Sequence, residues 1–266
     1  MSLTRRQVAA AAVAALPLGG AVTGTARAAG WRPRTLHIAG DSTAAQKYAD
    51  AAPETGWGMA LPFFLHRDLP VANHAVNGRS SKSFVDEGRL DVILREIRAG
   101  DFLVIQFAHN DQKKEDPSRY TEPWTTYQEH LRLYVDGARA RGVRPVLVTP
   151  VERRRFDAAG HAVSSHGEYP AAMRALAAEE GVALLDVQAL SLALWQRLGV
   201  EGTKTHFNWT ETEQDNTHFN PPGAIEVARL VARELLRTRV LAHRDVRRLD
   251  ERIPESWISW PAQGIA

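Results

Sequence analysis

The stretch His37-Ile-Ala-Gly-Asp-Ser-Thr-Ala-Ala-Gln-Lys-Tyr48 joins a short apolar segment to a polar turn and then to a segment with helical character. Residues 35–39 have the length and apolar content of a buried strand, which ends at Gly40. Asp41 and Ser42 are residue types that cap helices, so a helix is predicted to begin near Ser42. A serine at such a junction is either a helix cap or a nucleophile, and residues elsewhere in the chain decide between the two.

The first 28 residues have the features of an export signal. Thr4-Arg5-Arg6-Gln7-Val8 precedes an apolar run to Val22, and Ala26-Arg27-Ala28 supplies small residues for cleavage before Ala29. The paired arginines indicate the twin-arginine route, so we expect a secreted or envelope-associated protein. A buried amphipathic helix is disfavoured because polar residues at helical spacing are missing. A retained membrane anchor is disfavoured because the apolar run is shorter than the ~20 residues that span a bilayer.

Composition indicates one globular domain over residues 29–266, including a tail at 240–266. The chain has 266 residues, 44% hydrophobic and 24% charged, which is enough for a sizeable core. Removing the signal, with its three arginines and no acid, changes the net charge from +2 to −1. This charge does not favour nucleic acid as a partner, and no membrane span is expected in the mature chain. The absence of cysteine excludes disulfides and thiolate catalysis.

Apolar segments alternate with segments of helical periodicity along the mature chain. The predicted strands are Thr35–Ala39, Val71–Val76, Phe102–Phe107, Pro145–Thr149 and Val182–Val187. The predicted helices contain the apolar stripes at 90–97 and 127–138 and the segments 169–180, 189–198 and 223–238. This alternation predicts an α/β fold in which helices cover both faces of a parallel sheet. Residues 102–107 are predicted to form its buried central strand.

Polar clusters follow the first three predicted strands. Gly40-Asp41-Ser42-Thr43 comes after the first, Asn77-Gly78-Arg79-Ser80 after the second, and Ala108-His109-Asn110-Asp111 after the third. In open parallel sheets the ligand site lies beyond the carboxyl ends of the strands. We therefore expect these three clusters to lie along one edge of the sheet and to form the functional site.

A serine nucleophile also needs a base, an acid that orients the base, and donors for the oxyanion. His218 is the candidate base, and Asp215, three residues earlier in a turn-rich loop, can accept a hydrogen bond from its Nδ1. The backbone N–H of Gly78, the Asn110 amide and the N–H of Ser42 are the candidate oxyanion donors. Each of these residues alone has an ordinary explanation as a turn or loop residue. Their predicted convergence on one sheet edge favours catalysis.

The four blocks resemble those of the SGNH (GDSL-type) hydrolase superfamily, and within it most resemble the rhamnogalacturonan acetylesterase family. The matching segments, in order, are Gly40-Asp41-Ser42-Thr43, Gly56-Trp57-Gly58, Asn77–Phe84 with Glu87-Gly88-Arg89, Phe107–Asp111, Tyr169–Met173 and Asp215–Phe219. They cover the chain from about Thr35 to about Leu236. Ordered agreement of this kind is more specific than any single motif. Two positions depart from the family pattern: Ala108 stands where Gly is common, and Met59 where Gln is frequent.

The resemblance implies a three-layer α/β/α sandwich with a flavodoxin-like five-stranded parallel sheet, the SGNH hydrolase fold. It also implies a serine esterase that removes acetyl groups from a plant cell-wall polysaccharide, with rhamnogalacturonan first among the candidates. Ser42, Asp215 and His218 would be catalytic, and an acetyl-serine intermediate would form. No metal or other cofactor is expected. The polymer and the acetylated sugar position are left open, and acetylxylan or acetyl-xylooligosaccharides are the alternative substrates.

Trp57, Arg79 and His109 are the candidate substrate-binding residues. Trp57 is a candidate to stack on a sugar ring, with burial in the core as the alternative. Arg79 can pair with an acidic sugar such as galacturonate, and a structural salt bridge is the alternative. For His109 a structural hydrogen bond beside Asn110 is the favoured interpretation. The triplet at 153–155 is interpreted as a solvated loop, or alternatively as a binding edge for an anionic polymer.

Three further alternatives have distinct sequence requirements. A metal-dependent deacetylase would draw on His109, His166, His206 and His218, but no pair of them shows a recognised ligand spacing. A lipase or thioesterase on the same scaffold would need a longer acyl groove. A non-catalytic carbohydrate-binding protein would not need all five catalytic positions. The tail, which carries Trp257 and Trp260, is expected to pack back on the domain rather than to contact a partner.

Overall fold

The computed structural model describes residues 33–262 of the chain, so the predicted signal peptide lies outside the described residues. Five parallel strands form a sheet with the order β2-β1-β3-β4-β5. The strands are β1 (Leu36–Gly40), β2 (Val71–Asn73), β3 (Phe102–Gln106), β4 (Arg144–Val148) and β5 (Ala183–Leu185). The predicted parallel sheet is confirmed, and the segment predicted to be central is its middle strand.

Helices cover both faces of the sheet because its strands are apolar on both sides. The helices are α1 (Trp57–Ala60), α2 (Ser81–Asp86), α3 (Arg89–Glu96), α4 (Gln128–Arg139), α5 (Tyr169–Glu180), α6 (Val187–Lys204) and α7 (Pro221–Arg237). In β3, Leu103 and Ile105 pack with α2 to α5, whereas Phe102 and Val104 pack with α1, α6 and α7. The result is the expected α/β/α sandwich. None of the described helices is long and apolar enough to cross a membrane.

Two elements near the site differ from the sequence-based prediction. The segment after Ser42 is a single turn, in which the N–H groups of Ala44 and Ala45 donate to the carbonyl of Asp41, and the turn does not continue into a helix. The predicted loop around Asp215 is instead a strand, β7 (Gln214–Phe219), paired antiparallel with β6 (Phe207–Trp209). Its polar sequence, Gln-Asp-Asn-Thr-His-Phe, lacks the alternation of apolar residues that identifies a strand.

The described part of the C-terminal tail packs on the domain, as predicted. Ile253 and Ile258 are buried in the core with α6 and α7. The indole of Trp260 donates a hydrogen bond of 2.8 Å to the carbonyl oxygen of Glu54, and the N–H of Ala49 donates to the Pro261 carbonyl at 3.0 Å. The tail thereby holds the segment between β1 and α1, which borders the functional site.

Glycine is required where α1 meets the turn that carries Ser42. A Cβ on Gly56 would lie 2.1 Å from the carbonyl oxygen of Ala45, and one on Gly58 would lie 2.5 Å from that of Ala44. Both obstacles are backbone atoms that no side-chain movement can remove. The Gly-Trp-Gly block therefore brings α1 into close backbone contact with the turn after β1.

We expect Gly56→Ala to lower the free energy of unfolding by about 1–3 kcal/mol, because the added methyl group overpacks this contact. Gly202→Ala is the matched control: its Cβ would meet only the Leu198 Cβ, at an ordinary 3.7 Å, and alanine favours a helix. Chemical denaturation of the two variants measures the difference. Equal stability of both would contradict the predicted close contact.

Candidate active site

The connectivity of the sheet brings the predicted polar clusters to one edge. β1 lies between β2 and β3, so the chain leaves β1 to one side and returns on the other. Ser42 lies two residues after β1, Gly78 follows β2, and Asn110 follows β3. All three strands are parallel, so these residues share the carboxyl edge at the point where the strand order reverses. This is where open α/β sheets place their ligands.

Ser42, His218 and Asp215 form one hydrogen-bonded chain. His218 Nε2 lies 2.9 Å from Ser42 Oγ, and His218 Nδ1 lies 2.6 Å from Asp215 Oδ2. Asp215 Oδ1 accepts from the backbone N–H groups of Thr217 at 2.6 Å and His218 at 3.0 Å. An ionised carboxylate only accepts, so Nδ1 carries the proton and Nε2 is left as the acceptor facing the serine. This is the geometry of a base that can remove the serine proton.

The electrostatic surroundings suit His218 to that task. Burial lowers its pKa, but the hydrogen bond to Asp215 and the negative charges of Glu54 and Asp215 outweigh burial, so the pKa lies above the usual histidine value. Burial raises the pKa of Asp215, yet the hydrogen bonds and charge from His218 lower it overall. Asp215 therefore stays ionised and stabilises the imidazolium that forms when His218 takes a proton.

Asp41, rather than Ser42, stabilises the turn after β1. Its Oδ1 accepts from the Thr43 backbone N–H at 2.9 Å and from the Thr43 hydroxyl at 2.7 Å, and its Oδ2 pairs with His109 Nδ1 at 3.1 Å. Burial alone would raise the pKa of Asp41, but His109 and the bonds from Thr43 lower it to about 2. Because the turn does not continue into a helix, Ser42 is not a helix cap, and its hydroxyl is free to contact His218.

Behind the turn lies a buried network that includes two of the candidate substrate-binding residues. Gln106 donates to the Thr43 hydroxyl at 2.8 Å and accepts from the Trp57 indole at 2.7 Å. Trp57 is completely buried, so the prediction that it stacks on a sugar ring is wrong, and it supports the turn instead. His109 is also buried, and its contact with Asp41 fits the favoured structural role rather than contact with a sugar.

The three candidate oxyanion donors are free to bind a ligand. Neither the Ser42 nor the Gly78 backbone N–H donates to any residue in the described part of the chain. Gly78 has φ of +76°, a conformation that glycine adopts without strain. The Asn110 amide donates to the Arg79 carbonyl at 3.0 Å, which orients the side chain and uses one of its two hydrogens. The second hydrogen remains available.

A family model described as the GDSL-like lipase/acylhydrolase family matches residues 38–224, which include Ser42, Gly78, Asn110, Asp215 and His218. The chain belongs to this family. The match begins within β1 and includes the other four strands of the sheet, the Ser42–His218–Asp215 hydrogen bonds and all three candidate donors. The superfamily resemblance read from the sequence is thereby confirmed.

Individual relatives show which members of the family this chain is similar to. The probable rhamnogalacturonan acetylesterase YesY of Bacillus subtilis is 44% identical over 74% of this chain and 90% of its own length. The rhamnogalacturonan acetylesterase RhgT of the same organism is 43% identical over 76% of this chain and 89% of its own. The crystal structure of B. subtilis YxiM superposes with a TM-score of 0.70 at 31% identity, covering 78% of this chain and 57% of YxiM. The chain is thus a GDSL-type esterase similar to rhamnogalacturonan acetylesterases.

A cleft of about 370 Å³ lies beside Gly78. Its lining includes two guanidinium groups, those of Arg79 and Arg119. Arg79 forms the salt bridge that was the alternative interpretation, with Nε 3.0 and 3.1 Å from the two carboxylate oxygens of Glu87. Arg119 pairs with Asp116 and reaches to 3.5 Å from the Gly78 carbonyl oxygen. Sequence reasoning missed Arg119, because nothing in its surroundings marks it as close to Gly78.

The interpretation of residues 153–155 as a solvated loop is wrong for two of the three arginines. Arg153 is partly buried and donates to the His109 carbonyl at 3.3 Å. Arg154 donates to the Asn216 side chain at 3.0 Å through its guanidinium and to the Asn216 carbonyl at 2.8 Å through its backbone N–H. It also lies over the Trp209 ring at 4.4 Å. Arg154 therefore holds the hairpin that carries Asp215 and His218.

The histidines considered for a metal site have other contacts in the structure. His109 and His166 pack edge to face with ring centroids 4.4 Å apart, and His166 Nε2 lies 2.9 Å from the Val151 carbonyl oxygen. His206 contacts Trp195 on the α6 side. Across residues 33–262, no three His, Asp or Glu side chains are grouped so that they could hold a metal ion.

We expect kcat/KM to fall as the pH drops through the His218 pKa, above the usual histidine value, because only the neutral imidazole accepts the serine proton. Asp215→Asn removes the negative partner of His218, so the fall of kcat/KM on the acid side of the pH profile (the acid limb) should move to lower pH. In the same variant kcat should fall by about 10²–10⁴-fold. Asp157→Asn is the control, since Asp157 contacts His161 in a similar way without touching the site. An acid limb unmoved in Asp215→Asn would contradict the assigned contact.

Proposed function

We propose that this protein is an exported serine esterase that removes O-acetyl groups from an acetylated plant cell-wall polysaccharide, with rhamnogalacturonan as its preferred polymer. The observation that carries the proposal is the chain Ser42–His218–Asp215, with distances of 2.9 and 2.6 Å. The Ser42 and Gly78 backbone N–H groups and the second hydrogen of the Asn110 amide make no hydrogen bond within residues 33–262, so they can serve as oxyanion donors for acyl transfer. The likeness to YesY and RhgT, which extends over about nine-tenths of their lengths, supports the acetylated polysaccharide as the substrate class.

Acylation begins when Ser42 Oγ attacks the acetyl carbonyl carbon and His218 Nε2 takes the hydroxyl proton. The carbonyl π electrons move to oxygen, and the N–H groups of Ser42 and Gly78 and the Asn110 amide hold the resulting oxyanion. Asp215 stabilises the imidazolium. When the tetrahedral intermediate collapses, the C–O bond to the sugar breaks and His218 gives its proton to the leaving sugar oxygen.

Deacylation repeats these steps with water. His218 removes a proton from water, whose oxygen attacks the acetyl-serine carbonyl in the same oxyanion site. When the second tetrahedral intermediate collapses, the C–O bond to Ser42 breaks, the His218 proton returns to Ser42 Oγ, and acetic acid leaves and ionises in the solvent. Atoms and protons balance over the cycle, and every proton transfer uses the same imidazole nitrogen. No step requires a group beyond those of the chain and water.

Arg79 and Arg119 line the cleft beside Gly78 together with the carboxylates of Asp86, Glu87 and Asp116. Each guanidinium pairs with one of these carboxylates and donates to one backbone carbonyl, so part of its five N–H donors remains for a substrate. The remaining donors suit the carboxylate of a galacturonate unit next to the acetylated sugar. Export, expected from the paired arginines in the first residues, would bring the enzyme to such polymers outside the cytoplasm.

We expect Ser42→Ala to lower kcat on p-nitrophenyl acetate by about 10⁴-fold or more, because the nucleophile is lost while the fold is kept. Ser259→Ala, which removes an exposed hydroxyl of the tail, is the control and should leave turnover unchanged. Undiminished turnover in Ser42→Ala would contradict the nucleophile assignment.

A substrate series tests the polymer. Acetate release from acetylated rhamnogalacturonan should exceed release from acetylxylan by about tenfold or more in kcat/KM, and p-nitrophenyl esters should be hydrolysed more slowly as the acyl chain lengthens. A preference for acetylxylan would overturn the proposed polymer while leaving the mechanism in place. A preference for long acyl chains would overturn the carbohydrate assignment and favour a lipase or thioesterase.

A further inference from the structure

Lys47 is a buried cation that the mechanism above does not use. Only 1% of its surface is exposed, and it lies in the segment that follows the Ser42 turn. Its Nζ is 2.5 Å from Glu54 Oε1 and 2.6 Å from Asn77 Oδ1. Removing an ammonium group from water costs several kcal/mol unless the charge is paired and hydrogen-bonded. Glu54 supplies the opposite charge and Asn77 a hydrogen bond for this buried ammonium group.

Each partner of Lys47 belongs to a different part of the candidate site. Asn77 directly precedes Gly78, the candidate oxyanion donor. Glu54 directly precedes Thr55, whose N–H donates at 2.8 Å to the carbonyl of Phe219, the residue after His218. One ammonium group thus connects the segment after the nucleophile, the oxyanion loop and the end of the strand that carries the base.

Glu54 is itself held in place. The Trp260 indole donates to its backbone carbonyl at 2.8 Å, and the tail also accepts a hydrogen bond from Ala49. The Glu54 side chain is about one-fifth exposed, so its carboxylate is mostly shielded from water and close to Lys47. The backbone at Glu54 is thus anchored between the tail and β7, and its carboxylate is paired with Lys47.

We propose that Lys47 and Glu54 act as a positioning pair: Lys47 holds the Gly78 N–H against Ser42, and the two opposite charges balance each other beside His218. The inference rests on the proposed roles of Ser42, Gly78 and His218 and extends them to two residues outside the family motifs. Lys47 bonds Asn77 and Glu54 and touches neither Ser42 nor His218, so it acts by holding these partners and by its charge.

The effect of the two charges on His218 distinguishes a positioning role of the Lys47–Glu54 pair from a purely structural one. Besides Glu54 and Lys47, the groups that influence its protonation are Asp215 on its own strand and His109 after β3. Glu54 raises the His218 pKa, and Lys47 lowers it. Neutralising one member leaves the other uncompensated, so the two single variants should move the His218 pKa in opposite directions.

The test uses Lys47→Met, Glu54→Gln and the double variant, with pH profiles of kcat/KM on p-nitrophenyl acetate. Glu54→Gln should move the acid limb to lower pH and Lys47→Met to higher pH, each by about half to one unit. The double variant should return close to the wild-type limb. Lys47→Met should also lower kcat by about 10–100-fold with KM within about threefold, because the Gly78 donor loses its anchor.

Arg132→Met and Glu179→Gln form the control, since their ion pair of 2.7 Å joins α4 to the last turn of α5, away from the carboxyl edge of the sheet, and should leave the profile unchanged. Thermal unfolding of every variant shows whether it is folded, and the near-isosteric Glu54→Gln keeps the inference testable if Lys47→Met unfolds. The positioning role would be overturned if the acid limbs of Lys47→Met and Glu54→Gln moved in the same direction. It would also be overturned if these variants lowered Tm but left kcat and the pH profile unchanged. Activity remaining in Ser42→Ala would instead overturn the proposed function on which the inference rests.

Discussion

The hydrogen bond from His218 Nδ1 to the Asp215 carboxylate is the contact on which the site depends. It selects the tautomer in which Nε2 accepts, and it raises the basicity of the ring that faces Ser42. Both residues lie on one short strand, so their relative position is set by local backbone geometry. That strand must then be held against the sheet edge, which is the task of Arg154, Thr55 and the tail beyond them.

The buried carboxylate of Asp41, behind the nucleophile, also helps to position the catalytic residues. Asp41 is fully buried at the carboxyl edge of the sheet and stays ionised because Thr43 and His109 supply its hydrogen bonds. Such a network is costly if any member is missing, since each partner would be left unsatisfied. It keeps the Ser42 turn rigid without using the serine hydroxyl. The hydroxyl is therefore available to His218. Gln106 and Trp57 extend the network, since the Trp57 indole donates to Gln106, which donates to the Thr43 hydroxyl.

The sheet was predictable because its strands are apolar runs bounded by turn residues. The central position of β3 followed from its almost continuous apolar sequence, which is typical of a strand covered on both faces. The hairpin was not predictable, because the sequence of β7 is polar and its pairing with β6 is a tertiary contact. The helix expected after Ser42 is absent because the Asp41 carboxylate and carbonyl satisfy the turn themselves. Trp57 was misassigned because an aromatic side chain in a glycine-rich block gives no sign of which way it faces.

The sequence predicted the catalytic residues more completely than it predicted the residues that hold them in place. The five catalytic positions could be identified because their chemistry is specific, and because Ser42, Gly78 and Asn110 follow strands that are parallel neighbours. Lys47, Glu54 and Arg119 could not be identified, because their roles arise from contacts that join segments distant in the chain. A lysine five residues beyond the nucleophile looks like a surface residue until the fold shows that it is buried.

The central claim is that Ser42 carries the acetyl group during turnover, and the most direct measurement is mass spectrometry of protein quenched during hydrolysis of an acetyl ester. The account predicts a mass increase of one acetyl group, located by peptide mapping on the segment that contains Ser42. Acetylation of another residue would contradict it. So would full turnover with no acylated protein at any quench time and no covalent modification of Ser42 by an active-site phosphonate.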